Sequence, residues 1–322
     1  MNNIEFAGTG VQVSEMCLGT MMFGDRCDEA ESARILETAV SQGTTFIDTA
    51  AAYCGGVTEE ILGRIIKGKR NELFIGTKVT KNTNADWIAQ SLDESLARLQ
   101  TDYVDLFMIH WPRENMLIEP MMETLNNAVK AGKARYIGCC NFPAWLFAHC
   151  NAAAERNGWA KFVNNQIPYN LIERGVEVEV IPQAAAENIA ITTYRSLCLG
   201  LLAGKYQPGQ SIPTDSRGQS DKRIAAWLEK YGNAISGFHA FAAEHNLHPA
   251  QLAVAWVRHS PGVAAPIVGV SSERQLQASI DAFDVVLSDA EYEALTGLFD
   301  TVVKEESGGN FANLRRMTTL VK

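Results

Sequence analysis

The segment Thr45-Phe46-Ile47-Asp48-Thr49-Ala50-Ala51-Ala52-Tyr53 combines a short apolar run with an acid and, five residues after the acid, a tyrosine. The apolar and β-branched residues at 45–47 predict a buried strand that ends at Asp48. An unpaired carboxylate at such a position is costly to bury, so we expect the acid to have a cationic partner.

Two more apolar runs have polar residues at their ends. The runs at 72–77 and 103–109 predict strands, and they are followed directly by Lys78 and His110. If these strands lie parallel to the first one, their carboxyl ends meet at one rim. The lysine and the histidine then join the acid and the tyrosine of the opening segment.

Eight predicted strands alternate with helices between residues 16 and 282, which is typical of an α/β fold of the (β/α)8 TIM barrel type. A doubly wound sheet is the alternative, but no Gly-x-Gly-x-x-Gly turn follows any predicted strand. We expect an N-terminal β-hairpin at 4–14 to close the bottom of the barrel. An extra helix at 288–299 and a tail at 304–322 follow the last unit. No change in composition marks a second domain, so we predict a single domain over 1–322.

The composition excludes several functional classes. Hydrophobic residues make up 47% of the chain and charged residues 20%, which is typical of a protein with a sizeable core. The net charge of −9 argues against nucleic acid or an anionic membrane as a partner. No apolar run approaches the ~20 residues that span a bilayer, and the N-terminus lacks signal-peptide features, so we expect a cytoplasmic protein. The seven cysteines include no CxxC pair, and no metal site is expected.

The four polar side chains at the rim suit one kind of chemistry. A free phenol has a pKa near ~10, and a neighbouring ammonium lowers that value. We therefore expect Lys78 to make Tyr53 a better acid, with Asp48 holding the lysine and His110 orienting a carbonyl oxygen. This arrangement suits protonation of an oxygen that gains negative charge, as hydride addition to a carbonyl requires.

The hydride has to come from a cofactor. The amides of Asn141 and Gln166 suit a carboxamide, and Tyr194 offers an aromatic face for a nicotinamide ring. The segment 195–205 carries glycines and two cations that suit a pyrophosphate. The region 269–275 lies where such barrels usually bind phosphate.

At these residues the chain resembles the aldo/keto reductase superfamily, and the short segment after His110 and the long loop after Lys205 resemble its bacterial and channel β-subunit branches. The resemblance implies a (β/α)8 barrel and reversible carbonyl reduction with NADP(H), with NAD(H) also possible. By position, the catalytic tetrad of the family falls on Asp48, Tyr53, Lys78 and His110. The matching motifs, in chain order, are the segments 18–24, 46–53, 77–78, 109–112, 138–142, 165–170, 194–206 and 267–269.

The resemblance also implies a set of binding residues. The substrate pocket is expected to include Phe23, Tyr53, His110 and Trp111. Two positions depart from the family pattern: Cys140 stands where a serine often precedes the carboxamide-binding asparagine, and Ser271 stands where many relatives have a basic residue. The expected cofactor-binding residues are Gly19, Thr20, Met21, Asp48, Asn141, Gln166, Tyr194, Arg195, Ser196, Leu197, Leu199, Gly204, Lys205, Gly269, Ser271, Arg274 and Gln275.

The principal hypothesis is an oxidoreductase that reduces a small-molecule aldehyde or ketone to an alcohol, reversibly. One alternative is a lyase that forms a Schiff base at Lys78. Another is a cofactor-sensing regulatory subunit with residual turnover. The sequence leaves open whether the chain is a monomer or a homo-oligomer.

Overall fold

Strands and helices alternate along the chain, as predicted. The computed structural model describes residues 1–214 and 216–300, and the predicted tail at 304–322 lies outside the described residues. The strands are β1 (Asn3–Glu5), β2 (Gln12–Ser14), β3 (Cys17–Gly19), β4 (Phe46–Asp48), β5 (Phe74–Val79), β6 (Val104–Ile109), β7 (Ala134–Cys140), β8 (Phe162–Pro168), β9 (Ala190–Tyr194) and β10 (Val263–Gly269). The helices are α1 (Glu29–Ser41), α2 (Val57–Ile65), α3 (Ala85–Leu99), α4 (Ile118–Lys130), α5 (Ala144–Asn157), α6 (Val180–Glu187), α7 (Lys222–Glu244), α8 (Pro249–His259), α9 (Glu273–Ile280) and α10 (Asp289–Leu298).

Strands β3 to β10 pair in parallel, and β10 closes the sheet onto β3 to form an eight-stranded barrel. The fold class predicted from the sequence is therefore confirmed. Because all eight strands run in the same direction, their carboxyl ends form one rim, where (β/α)8 enzymes place their active sites.

The N-terminal hairpin closes the opposite end of the barrel. Strands β1 and β2 pair antiparallel, and Phe6 in the turn between them is fully buried. Its ring centroid lies 5.6 Å from that of Phe46 and 5.0 Å from that of Phe74. Three aromatic rings thus fill the bottom of the barrel, which is the plug that the sequence predicted.

Strand β5 begins two residues later than the sequence indicated. A short 3-10 turn occupies Arg70–Glu72, and the strand then runs to Val79, so Lys78 lies inside the strand rather than after it. Side chains alternate between the two faces of a strand. Lys78 consequently points into the barrel, and Thr77 points outward to the helices.

Helix α3 shows how local sequence builds the outer layer. The Asn84 side chain accepts a hydrogen bond from the backbone N–H of Trp87 and caps the helix. Buried residues at helical spacing face the strands, and the helix ends where Gln100 adopts a left-handed conformation with φ +53°.

Two further properties concern the described part of the chain as a whole. None of its helices combines the length and the apolar character needed to cross a bilayer. Within residues 1–214 and 216–300, no three or more His, Cys, Asp or Glu side chains form a group that could hold a metal ion.

Candidate active site

Lys78 is the centre of the polar cluster at the barrel mouth. Its side chain is fully buried, and its amine lies 2.7 Å from the Asp48 carboxylate. The amine also donates a hydrogen bond to the carbonyl oxygen of Thr49 at 2.7 Å and lies 3.4 Å from the Tyr53 hydroxyl oxygen. The three hydrogens of the ammonium thus have one acceptor each, and the cationic partner expected for Asp48 is present.

Tyr53 reaches the lysine from an unusual turn between β4 and α2. The backbone adopts positive φ angles at three successive residues, which are Cys54 (+46°), Gly55 (+66°) and Gly56 (+104°). Glycine tolerates this region without steric cost, whereas a cysteine is strained there. The turn directs the phenol of Tyr53 back over the end of the barrel.

The structure corrects one expectation about Tyr53. Burial of the hydroxyl is the largest influence on its pKa and raises it, while the nearby Lys78 ammonium lowers it; the net result is a pKa raised to about 12. The lysine acts in the expected direction, but the prediction of an acidified phenol is wrong. At neutral pH the hydroxyl therefore carries its proton.

The pKa of Lys78 is raised. Burial alone lowers it, but the Asp48 carboxylate, with smaller contributions from Tyr53, Cys140 and the hydrogen bond to Asp48, outweighs that effect. The lysine is therefore an ammonium at neutral pH. An ammonium has no lone pair for attack on a carbonyl, which argues against the Schiff-base alternative.

His110 follows β6 directly, and its ring lies edge-on to the Tyr53 ring with a centroid distance of 6.2 Å. Burial, the Lys78 charge and the Arg113 charge lower the pKa of His110 to about 3. The imidazole is therefore neutral across the physiological range. A neutral imidazole can donate one N–H to a substrate oxygen without giving up a proton.

The two expected carboxamide ligands lie beside this cluster. Asn141 donates a hydrogen bond to the His110 carbonyl oxygen at 3.1 Å and accepts one from the Tyr194 hydroxyl at 2.7 Å. Gln166 donates a hydrogen bond to the Asp48 carboxylate at 2.8 Å. Asn141 is thus oriented by His110 and Tyr194, and Gln166 by Asp48 itself, while each amide retains unused hydrogen-bonding capacity.

A family model described as "Aldo/keto reductase family" matches residues 15–300 of this chain. The chain belongs to the aldo/keto reductase family. Aldo-keto reductase YhdN of Bacillus subtilis (strain 168) is 31% identical over 328 residues, covering 97% of each chain. A protein described as a probable voltage-gated potassium channel subunit beta of Arabidopsis thaliana is 32% identical over 295 residues, covering 86% of this chain and 90% of the relative. The structure of the glycerol dehydrogenase AKR11B4 from Gluconobacter oxydans aligns with a TM-score of 0.81 at 27% identity, covering 94% of this chain and 96% of that one.

In this aldo/keto reductase the segment after β9 is a loop with several residues in the left-handed region. Positive φ angles occur at Arg195 (+65°), Leu199 (+59°) and Gly204 (+83°), among others, and the N–H groups of Gly200 and Leu202 donate to the Leu197 carbonyl oxygen within the loop. The Ser196 hydroxyl is buried and has no hydrogen-bond partner among the described residues. A buried hydroxyl without a partner fits a ligand that brings its own acceptor. Leu197 and Lys205 lie on the same loop.

The expected phosphate region lies at the start of α9. Gly269 ends β10, and the Ser271 hydroxyl donates a hydrogen bond to the Gln275 side chain at 3.1 Å. Arg274 is exposed, and the structure shows no ion pair for it within the described ranges. Its guanidinium is therefore free to bind an anion, whereas Ser271 and Gln275 already bind each other.

The first rim residues are positioned by Asp48. Thr20 donates hydrogen bonds to the Asp48 carbonyl oxygen from its backbone N–H and from its hydroxyl, both at 3.0 Å. Gly19 has no room for a side chain, because a Cβ would lie 2.9 Å from the Ile267 side chain. Met21, which follows, is 45% exposed and can contact a bound ligand.

The expected substrate-pocket residues divide into two groups. Tyr53 and His110 lie together as described, and Trp111, the residue after His110 in the chain, is 47% exposed. Phe23 is fully buried in the hydrophobic cluster outside the barrel. Its ring is covered by protein, so the expectation that it lines an open pocket is corrected.

The departure at Cys140 has a structural consequence. Its thiol is fully buried and lies 3.9 Å from the Met108 sulfur, so it packs inside the barrel. A serine hydroxyl at this place would need a partner, whereas a thiol behaves as a small apolar group.

The sequence did not reveal one contributor to the site. The carbonyl oxygen of Thr49 accepts a hydrogen bond from the Lys78 amine, but a backbone acceptor leaves no trace in residue type.

Proposed function

We propose that this protein is an NADP(H)-dependent oxidoreductase that reduces an aldehyde or a ketone to an alcohol, with the reverse reaction at high pH. The observation that carries the proposal is the Lys78 ammonium, which is shared between the Asp48 carboxylate at 2.7 Å and the Tyr53 hydroxyl at 3.4 Å. A phenol in contact with a buried ammonium can release its proton because the phenolate that remains is stabilised.

Each member of the cluster has one task in this proposal. Tyr53 holds the proton at its hydroxyl oxygen and gives it to the substrate oxygen as negative charge develops there. Lys78 stabilises the phenolate, and Asp48 keeps the lysine charged and in place. His110, neutral because its pKa is about 3, donates a hydrogen bond to the same substrate oxygen. A reduced nicotinamide, when bound, supplies the hydride.

The direction of the reaction follows from the state of Tyr53. Reduction needs the protonated phenol, which burial favours. Alcohol oxidation needs the phenolate to accept a proton. We therefore expect reduction to predominate at neutral pH and oxidation to gain as the pH rises.

The preference for NADP(H) over NAD(H) rests on Arg274. It is exposed at the start of α9 and, within the described ranges, has no ion-pair partner, so its guanidinium is available to a 2′-phosphate. Ser271 contributes little to such binding, since its hydroxyl donates to Gln275.

The substrate we propose is a small aldehyde or ketone. The exposed ring of Trp111 beside His110 offers an apolar wall. One solved structure with the same fold is that of a glycerol dehydrogenase, and this similarity supports a small alcohol as the reduced product.

The test is a carbonyl panel assayed with NADPH and NADH side by side, on the parent protein and on Tyr53→Phe. We expect the variant to lose at least ~10²-fold in kcat while its Kd for NADPH, measured by fluorescence, stays unchanged. Full activity in Tyr53→Phe would refute the role given to the phenol.

The same assay decides the remaining points. Arg274→Gln should raise the KM for NADPH and leave the KM for NADH unaltered. Tight NADPH binding with negligible turnover in the parent would favour the regulatory-subunit alternative. The observation behind that alternative is the match to a protein described as a probable voltage-gated potassium channel subunit beta.

A further inference from the structure

Glu59 is a buried carboxylate that the proposed reaction does not use. It lies in the first turn of α2 and is fully buried. One of its oxygens accepts a hydrogen bond from the Thr77 hydroxyl at 2.6 Å, and the other accepts from the Arg98 guanidinium at 2.7 Å. A carboxylate buried this completely is costly unless it is paired and hydrogen-bonded with good geometry.

The first partner connects Glu59 to the strand of the catalytic lysine. Thr77 precedes Lys78 on β5, and neighbouring side chains on a strand point to opposite faces. The hydrogen bond from Thr77 therefore fixes α2 against the outer face of β5, while Lys78 extends from the inner face of the same strand.

The second partner connects Glu59 to the turn that carries the catalytic tyrosine. A Cβ atom built on Gly56 would lie 2.9 Å from the Cδ atom of Arg98 and 3.2 Å from its Nε atom. The arginine side chain thus lies directly against the last residue of the left-handed turn at 54–56. Glu59 holds Arg98 in that position by accepting a hydrogen bond from the Nε atom of the arginine.

We propose that Glu59, acting through Arg98 and Thr77, is a positioning residue that sets the separation of Tyr53 from Lys78. The inference rests on the proposed function, in which those two side chains form the proton donor. The separation of 3.4 Å lies at the outer limit of a hydrogen bond. A small movement of the turn would therefore break the contact.

The central variant is Glu59→Gln, which keeps the size of the side chain and removes its charge. The matched control is Arg64→Gln on the same helix, since Arg64 pairs with Glu29 at 2.8 Å in an exposed ion pair. Thr77→Val and Thr77→Ser form a second, milder pair. Valine keeps the branched shape without the hydroxyl, and serine restores the hydroxyl.

The first readout is kcat per folded molecule, measured below the melting transition with cofactor-binding sites titrated. We expect Glu59→Gln and Thr77→Val to lose about 10-fold to 100-fold in kcat, because misplacement by ~1 Å is costly in catalysis. The KM for the carbonyl and the Kd for NADPH should stay within about 2-fold. Thr77→Ser and Arg64→Gln should retain parent kcat.

The second readout needs no turnover. Amide hydrogen exchange of the segment 52–58, followed by mass spectrometry, should be faster in Glu59→Gln and Thr77→Val than in the parent. Exchange in that segment should be unchanged in Arg64→Gln. A parent without carbonyl reduction would contradict the proposed function, and the exchange data would still test the positioning role.

Three outcomes would overturn the inference. The first is parent kcat per folded molecule in both Glu59→Gln and Thr77→Val, while Tyr53→Phe is inactive. The second is an unchanged exchange rate at 52–58 in both variants. A loss of kcat in Thr77→Ser equal to that in Thr77→Val would also contradict it, since the hydroxyl would then have no role.

Discussion

Replacing Asp48 with asparagine should destabilise the fold by about 3–5 kcal/mol, because a buried ammonium would lose its counter-charge. Lys78 is fully buried, and its amine lies 2.7 Å from the carboxylate. Asparagine has nearly the size of aspartate, so the loss reports the charge rather than the packing. For 322 residues, an unfolding entropy of ~2.1 cal/mol/K per residue converts this loss into a Tm lower by roughly 4–7 °C.

The pH dependence of this deficit has a definite sign. In the parent the pKa of Lys78 is raised in the folded state, so its contribution to stability is present below the unfolded pKa of ~10.4 and is lost only above it, as the pH passes the folded value. In Asp48→Asn, the charge that outweighed the effect of burial on Lys78 is gone. The pKa of Lys78 in the folded state then falls below its pKa in the unfolded state. The unfolded state then binds more protons, and the stability of the variant rises with pH.

Differential scanning calorimetry of the parent and of Asp48→Asn, at about pH 7 and about pH 9.5, measures this pH dependence. We expect the difference in Tm between the two proteins to be smaller at the higher pH. The matched control is Asp93→Asn, which removes the acid of an exposed ion pair with Lys133 and should cost less than ~1 kcal/mol. The reasoning is wrong if the Asp48→Asn deficit is no larger than that of the control. It is also wrong if the deficit widens as the pH rises.

Two other predictions follow from the pKa of His110 and from the space around two helical glycines. Because His110 titrates near a pKa of about 3, kcat/KM for reduction should stay level between about pH 8 and about pH 5; an inflection near ~6.5 that disappears in His110→Gln would contradict this. Gly63→Ala should cost about 1–3 kcal/mol, since its Cβ would lie 2.7 Å from the Leu99 carbonyl carbon. Among residues 1–214 and 216–300, nothing lies within 4 Å of a Cβ built on Gly297, and Gly297→Ala should stabilise by about 0.5–1 kcal/mol. Urea denaturation measures both, and equal effects would refute the steric argument.

The barrel could be predicted because its evidence is repeated along the chain. Most strands are short runs rich in apolar or β-branched residues, and the helices have apolar residues at helical spacing, so an error in one element leaves the others intact. The residues at the rim of the barrel could be predicted from the sequence for a related reason. Asp48, His110 and Asn141 each stand directly at or beyond a strand end, where apolar packing no longer decides the residue type.

The properties that the sequence missed depend on burial by distant parts of the chain. The pKa of Tyr53 is set mainly by the protein that covers its hydroxyl, and residue identity gives only the contribution of Lys78. Phe23 was assigned to the pocket from its place in a motif, but helices packed around it bury the ring completely. In both cases the deciding quantity is the solvent exposure of one group, which no local pattern contains.

The alternation of side chains along a strand explains why an error in the bounds of β5 did not change the predicted position of Lys78. The strand was placed two residues too early, and a shift of two preserves which face of the sheet each side chain occupies. A shift of one would exchange the faces and move Lys78 among the helices, away from Asp48. It would also move Thr77 into the barrel and deprive Glu59 of the hydroxyl that it accepts from. An acid therefore lies on each side of this strand, and the two acids together favour a single register for the strand that carries Lys78.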